Sequence, residues 1–297
     1  MKTVRTGAEL RAALEPHRGA GRTIGLVPTM GAFHQGHLAL LRAARERCDV
    51  VVVSLFVNPA QFGPTEDLAA YPRDEERDAA LAASEGVDVL FAPPVEEVYP
   101  HGFATTVRVS GLADTLEGAH RPGHFDGVAT VVAKLLNLVQ PQVAFFGRKD
   151  AQQALVIRRL VRDLDLPVEV DVRPTIRDAD GLALSSRNAY LSAEERERAL
   201  ALPRALRAVE RAAADGLAPA QALAAGRAEL AAAGVEPDYL AAVSAETLEP
   251  VEDFHGQDVL VAVAARVGPV RLIDNVLVPA AAPPVHEPGR QALQCNA

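Results

Sequence analysis

Two histidines three residues apart, His34 and His37, enclose Gln35 and Gly36 and follow the turn Pro28-Thr29-Met30-Gly31-Ala32-Phe33. Imidazoles donate hydrogen bonds and gain charge when protonated, so a pair at this spacing suits an anion. The pair also invites a zinc reading, but no Cys, Glu or third His stands close by in sequence to complete a site. A second such stretch is Phe146-Gly147-Arg148-Lys149-Asp150-Ala151-Gln152-Gln153. Lys149 is a mobile point charge fitted to phosphate oxygens. Asp150 suits a helix N-cap, a ribose hydroxyl or magnesium. Gln153 lies one helical turn beyond Lys149 and faces the same side. The Gly-x-x-x-x-Gly-Lys spacing of a Walker loop is absent.

Three further stretches carry polar groups. In Leu184-Ser185-Ser186-Arg187-Asn188, two hydroxyls and a planar guanidinium can grip a triphosphate, although the string also reads as an ordinary polar loop. Asn58 and Gln61, in Asn58-Pro59-Ala60-Gln61-Phe62-Gly63, offer amides for a polar, non-aromatic substrate, or only an Asn-Pro turn with a solvated glutamine. The Gly/Pro-rich loop from Leu116 to Val128 carries Glu117, Arg121 and two histidines.

The elements that must hold these groups follow from apolar patterning. Ile24–Val27 and the β-branched run Val50–Val57 predict strands buried on both faces, with a helix over 38–47 between them. That is a βαβ unit of a doubly wound parallel sheet, whose ligands sit beyond the carboxyl ends of the strands. A strand, a glycine-bearing turn and a helix start make an anion pocket at His34–His37, and again at Lys149. A short strand or cap and a helix ending at Pro16 precede this unit. A helix over 75–84, strands over 87–92, 142–146 and 168–172, an apolar helix over 128–139 and a helix running to about Asp165 extend it. The apolar helix should be buried or lie in a subunit interface. The first domain is expected over 1–175. A smaller α+β domain over 176–278 follows: a capping box at Ser192–Glu195, one long helix to about Asp215, a second from Pro219, and strands over 239–243, 259–267 and 270–278. Residues 279–297 predict a disordered tail.

The 297 residues are 49% hydrophobic with a net charge of −9, a globular composition without a basic stripe, which argues against a nucleic-acid partner. Cys48 and Cys295 are too few and too distant for a disulfide framework and fit a reducing cytoplasm. The N-terminus has no apolar signal core, and no apolar run reaches membrane-spanning length.

His34-Gln35-Gly36-His37 resembles the His-x-Gly-His signature of the nucleotidyltransferases related to class I aminoacyl-tRNA synthetases. The longer strings around it, Val57–Gly63, Glu117–Val128, Phe146–Gln153 and Leu184–Asn188, resemble in order those of the pantoate–β-alanine ligase family, across roughly Thr3 to Val278. The resemblance implies condensation of (R)-pantoate with β-alanine to pantothenate, the coenzyme A precursor, with ATP converted to AMP and pyrophosphate through a pantoyl adenylate. It implies ATP contacts from Met30, Gly31, Ala32, Phe33, His34, Gln35, Gly36, His37, Gly147, Arg148, Lys149, Asp150, Ile176, Leu184, Ser185, Ser186 and Arg187. Of these, His34, His37, Lys149, Ser185, Ser186 and Arg187 are the catalytic set, with His37 leading at the α-phosphate, as a proton donor. Substrate contacts fall on Met30, Asn58, Gln61, Glu117, Arg121 and Gln153. Magnesium accompanies ATP, with Asp78 at the family's acidic position, although the neighbouring position is Arg77 here. Leu184 stands where the family has Met, a swap of similar volume. A homodimer is implied. Two alternatives stay open: another small-substrate adenylyltransferase, which would share the opening motif without needing β-alanine, and a non-catalytic nucleotide-binding module.

Overall fold

The computed structural model describes residues 1–63, 68–69 and 71–280. In chain order the elements are β1 Lys2–Val4, α1 Gly7–Gly19, β2 Ile24–Thr29, α2 Gln35–Arg47, β3 Val50–Leu55, α3 Glu75–Ser84, β4 Val89–Phe91, α4 Val95–Val98, α5 Glu117–His120, α6 His124–Val139, β5 Val143–Gly147, α7 Ala151–Asp163 and β6 Glu169–Arg173. They continue with α8 Ala193–Ala199, α9 Ala201–Ala214, α10 Pro219–Ala232, β7 Pro237–Ser244, β8 Val259–Val267 and β9 Val270–Val278.

The first six strands form one parallel sheet in the order β1-β4-β3-β2-β5-β6. Alternation along β2 and β3 sends Leu26, Val50 and Val52 into a core shared with α1, α6 and α7, and Val27, Val51 and Val53 into the opposite core under α2 and α3. Burial on both faces is why these strands read as unbroken apolar runs. The chain lays down β3 and β4 on one side of β2, then crosses to β5 and β6 on the other. The sheet therefore has its topological switch between β2 and β5, and the crevice beyond their carboxyl ends is the natural ligand site.

The last three strands form an antiparallel sheet, β7-β8-β9, with β8 and β9 joined at Gly268-Pro269. One face packs under α9 and α10, through Val261, Val263 and Leu272. The other, through Val243, Leu260 and Ala262, joins the core that contains α6 and α7.

Three expectations shift. Pro16 does not end α1, which runs to Gly19. Pro16 and Ala12, the residue whose carbonyl loses its partner, both lie on the exposed side, where water replaces the missing bond. The long helix after Ser192 is instead two helices broken at Leu200. Pro203 cannot donate to the Ala199 carbonyl and its ring crowds it, so the first helix stops there. Helix α6 begins at His124 rather than Val128, and its apolar faces pack into the core beside β2, α1 and α7 within this chain. The predicted tail over 279–297 falls outside the described residues from 281 onward. Among the described residues no helix is long and apolar enough to cross a membrane.

Candidate active site

The turn after β2 is built by its own side chains. His34 is the N-cap of α2, and its Nδ1 accepts the Gly36 backbone N–H at 3.1 Å. His37, three residues on, reciprocates: its Nδ1 accepts the His34 backbone N–H at 3.3 Å. The histidine pair is thus a capping box made of two imidazoles. Gly36 permits it, because a Cβ there would lie 2.8 Å from the His34 ring. With both Nδ1 atoms accepting, each ring carries its proton on Nε2, a donor not used by the cap. The rings sit 4.2 Å apart between centroids, and both line a cavity of about 500 Å³ at the switch between β2 and β5.

Burial, then the Lys149 charge, pushes His34 down to about 4. Burial, then His34 itself, pushes His37 down to about 3. The charge expected on these rings is therefore absent near neutral pH. In this structure they are neutral hydrogen-bond donors, and protonation of His37 would work against its burial.

Asp78 does not face the cavity. It is 1% exposed, and its two carboxylate oxygens accept the backbone N–H groups of Ala32 at 2.7 Å and Phe33 at 2.8 Å. The expectation of a metal ligand there gives way to a structural role: a carboxylate from α3 fixes the turn in which Gly31 and Ala32 take positive φ. Among the described residues no group of three or more His, Cys, Asp or Glu side chains could hold a metal ion.

Lys149 and Asp150 lie in a single 3₁₀ turn after β5, ahead of α7, and both line the same cavity with Gln153. Asp150 precedes α7 without capping it by its side chain; its Oδ1 instead meets Lys149 Nζ at 3.3 Å. Burial works to raise the Asp150 carboxyl, but Lys149, Arg187 and His124 together hold it below its usual range.

The opposite wall is the segment after β6. Ile176, Leu184, Ser185, Ser186 and Arg187 all line the cavity. Leu184 N–H donates to the Ile176 carbonyl at 3.0 Å, and Ser185 caps a short 3₁₀ turn by accepting the Arg187 N–H at 3.2 Å. An adjoining cavity of about 640 Å³ shares Lys149, Asp150 and Ser185–Arg187 and reaches Glu117 and Arg271.

At the floor, Gln61 is 8% exposed; its Nε2 lies 3.1 Å from Met30 Sδ, and its Oε1 accepts from Asn58 Nδ2 at 3.1 Å. Asn58 is fully engaged: its amide also donates to the Gly127 carbonyl and accepts from Ala60 N–H and the Tyr99 hydroxyl. Asn58 thus orients Gln61. Gly127 lets α6 press on this turn, since a Cβ there would lie 2.3 Å from the Ala60 carbonyl oxygen. Arg121 lines both cavities, with one guanidinium nitrogen 3.1 Å from His124 Nε2.

Several expected residues do not line the main cavity. Gly31, Ala32 and Phe33 form the buried or half-buried body of the turn, Gln35 is exposed on α2, and Arg148 is half-buried in its 3₁₀ turn. Glu117 lines only the adjoining spaces, where its carboxylate accepts from the Tyr239 hydroxyl at 2.9 Å and pairs with Arg271 at 2.6 Å. Among the lining residues that escaped the sequence-based selection are His124 and Tyr71. His124, 9% exposed, has Nδ1 2.9 Å from the Gln61 carbonyl oxygen. Tyr71 crosses from the β3 side toward Ser186, and burial raises its phenol while Ser186 pulls the other way. His124 stands inside the Glu117–Val128 string that resembles the family, the single signal that marked it.

Residues 2–277 match the family model of pantoate-beta-alanine ligase. The pantothenate synthetase of Cereibacter sphaeroides (strain ATCC 17029 / ATH 2.4.9) is 57% identical over 276 residues, 93% of this chain and 99% of the relative. That of Thermus thermophilus is 58% identical over 280 residues, 94% of this chain and 99% of the relative. A crystal structure of the Thermus enzyme superposes with a TM-score of 0.89 at 57% identity, covering 94% of this chain and 100% of that one. The Francisella tularensis pantoate-beta-alanine ligase, complexed with beta-gamma ATP and beta-alanine, superposes at 0.77 with 34% identity, covering 93% and 97%. The chain belongs to the pantoate–β-alanine ligase family.

Proposed function

We infer that this protein is an AMP-forming ligase that joins (R)-pantoate to β-alanine, giving pantothenate, AMP and pyrophosphate. One observation carries the reading: the Nε2–H donors of His34 and His37, the Lys149 ammonium and the Ser185–Arg187 loop converge on one cavity, and that cavity also holds the amides of Gln61 and Gln153. The first set addresses phosphates; the second addresses a small polar acid. Family membership supports the same substrates, and ATP and β-alanine are the molecules named with the Francisella relative.

In the first half-reaction a pantoate carboxylate oxygen attacks the α-phosphorus of ATP, and pyrophosphate leaves. Transfer of this kind needs positioning and charge neutralisation more than covalent help. Lys149 supplies a full charge. The two neutral imidazoles supply fixed donors that need no protonation. Arg187 supplies a planar fork from the far wall. Met30, Gln61 and Gln153 hold pantoate, with Asn58 and His124 holding Gln61, and Arg121 completing the adjoining wall. Glu117 acts at a distance, through Tyr239 and Arg271. In the second half-reaction the β-alanine amine attacks the acyl carbonyl of the adenylate, and AMP departs with the electron pair of the broken C–O bond.

Magnesium enters with ATP. Asp150 and Glu46 are the carboxylates that line the main cavity, and Asp150, beside Lys149, would help to hold an ion bound chiefly by phosphates and water, which would supply charge neutralisation there. Residues 1–175 bind ATP and pantoate, and residues 176–278 close over them to exclude water from the adenylate. The enzyme works as a homodimer in a reducing cytoplasm, consistent with the family resemblance and with Cys48 as a buried free thiol.

The test is pantoate-dependent exchange of labelled pyrophosphate into ATP with magnesium, followed by AMP release on adding β-alanine. Both activities are expected. Folded protein that binds ATP but exchanges nothing with pantoate would overturn the substrate assignment, and exchange with a different acid would favour another adenylyltransferase.

A further inference from the structure

The Lys149 turn is held from outside the parallel sheet. Asn275, on β9, is 5% exposed, and its amide nitrogen donates to two successive backbone carbonyls, Arg148 at 3.0 Å and Lys149 at 2.8 Å. The residue before it reaches elsewhere. Asp274, 3% exposed, pairs through both oxygens with the Arg177 guanidinium, at 2.6 and 2.9 Å. Strand alternation sends neighbouring side chains to opposite faces of the antiparallel sheet. Asn275 therefore grips the turn after β5, while Asp274 grips the crossing segment after β6. Arg177 in turn donates to the Gly181 carbonyl at 3.1 Å, and its neighbour Ile176 bonds the backbone of Leu184. One dipeptide thus fixes both the strand-end turn that carries Lys149 and the strap that carries Ile176 and Leu184.

We propose that Asp274 and Asn275 form a positioning pair: through bonds to the Arg148 and Lys149 carbonyls and to Arg177, they set the distance between the lysine wall and the Ile176–Leu184 wall of the nucleotide cavity. The proposal rests on the adenylate-forming reading above. A short 3₁₀ turn cannot hold itself, since Lys149 and Asp150 contribute no side-chain cap to α7. The Asn275 amide supplies that missing constraint from a strand in a packed sheet. A buried donor shared by two carbonyls tolerates no rotation, because the flipped amide would set its oxygen against both. Asp274 adds a charge whose partner lies on the other wall, so the two contacts act on one gap from its two sides. The pair touches no reacting atom and acts only through Lys149 and Arg177.

The test compares Asn275→Ala, Asn275→Asp and Asp274→Asn with the parent in the two half-reactions separately. Parent exchange of pyrophosphate must come first: its absence would count against the function, not against this pair. Misplacing a catalytic group by about 1 Å can cost about a hundredfold. The two Asn275 variants are therefore expected to lose roughly ten- to a hundredfold in pyrophosphate exchange kcat, while aminolysis of supplied pantoyl adenylate by β-alanine changes less than about threefold. Asp274→Asn is expected to raise KM for ATP with a smaller change in kcat. Equal losses in both half-reactions, or no loss in exchange, overturn the proposal. If Asn275→Ala and Asn275→Asp do not fold, Asn275→Gln, which keeps the donor, decides: exchange within a few-fold of the parent supports the pair, and a loss in exchange that aminolysis shares overturns it.

Discussion

The two walls of the nucleotide cavity are made differently. The β2–α2 wall is closed upon itself: imidazole caps imidazole, Asp78 pins Ala32 and Phe33, and Phe33 is buried at 1% exposure. The Ile176–Arg187 wall is a strap with one isolated bridge, Arg177 to Ala183, and a short 3₁₀ turn. Its serine and arginine side chains are half-buried. The first wall is preorganised, so its donors cost no reorganisation when charge develops on phosphorus. The second is held from outside, by the Asp274–Arg177 pair, and contributes through binding. A site built this way divides rate and affinity between its halves.

Removing donors from the preorganised wall, or the charge carried by the Lys149 turn that Asn275 holds, should have the largest effect. His37→Ala and Lys149→Ala should each lower pyrophosphate exchange by roughly 10²- to 10³-fold with the fold retained, the loss typical of one transition-state donor. Exchange near the parent's rate in His37→Ala would erase the contrast between the walls, and in Lys149→Ala it would remove the lysine from the reacting phosphate. Arg187→Ala, on the strap, should act mainly on KM for ATP, by about tenfold, the worth of one hydrogen bond to a charged group. A pure kcat defect in steady-state kinetics would move Arg187 to the preorganised side.

Gln61→Ala probes the floor rather than either wall. Its expected signature is a rise of several-fold to about tenfold in KM for pantoate, with KM for ATP unchanged. An effect confined to ATP would take Gln61 out of the acid subsite.

A last test reads stability instead of rate, through its pH dependence. His34 and His37 titrate near 4 and 3 when folded, against 6.5 in the unfolded chain. Between those values the unfolded state binds more protons, so stability falls as the pH drops from about 6.5 toward 4 and recovers as it rises. The double variant His34→Gln, His37→Gln should lose that share of the dependence. Thermal unfolding at pH 7 and pH 4.5 for both proteins checks it; parallel shifts would mean that the rings are not desolvated.

Much of the first wall was legible because its determinants are local. The Ile24–Val27 run, the glycine-bearing turn and the histidine spacing specify a strand, a tight turn and a helix start within about 15 residues, and periodicity reports such features directly. The β8–β9 hairpin was legible for the same reason: two β-branched runs around Gly268-Pro269. The misread prolines, Pro16 inside an unbroken helix and Pro203 at a break, depended on something else, namely whether the orphaned carbonyl lies on an exposed residue, Ala12, or on a buried one, Ala199.

Sequence by itself therefore determined the parallel sheet, the anion-binding turns and the residue types that face them, since each follows from nearest neighbours along the chain. Tertiary structure alone decided the state and support of those residues. Burial among Phe33 and a second ring, not residue type, makes His37 neutral. Asp78 became an anchor instead of a metal ligand because α3 delivers its carboxylate to two backbone amides 45 and 46 residues away. Asn275 came to hold the Lys149 turn from 126 residues downstream. Such contacts join segments whose spacing carries no local pattern, so they exist only once the two sheets are packed together.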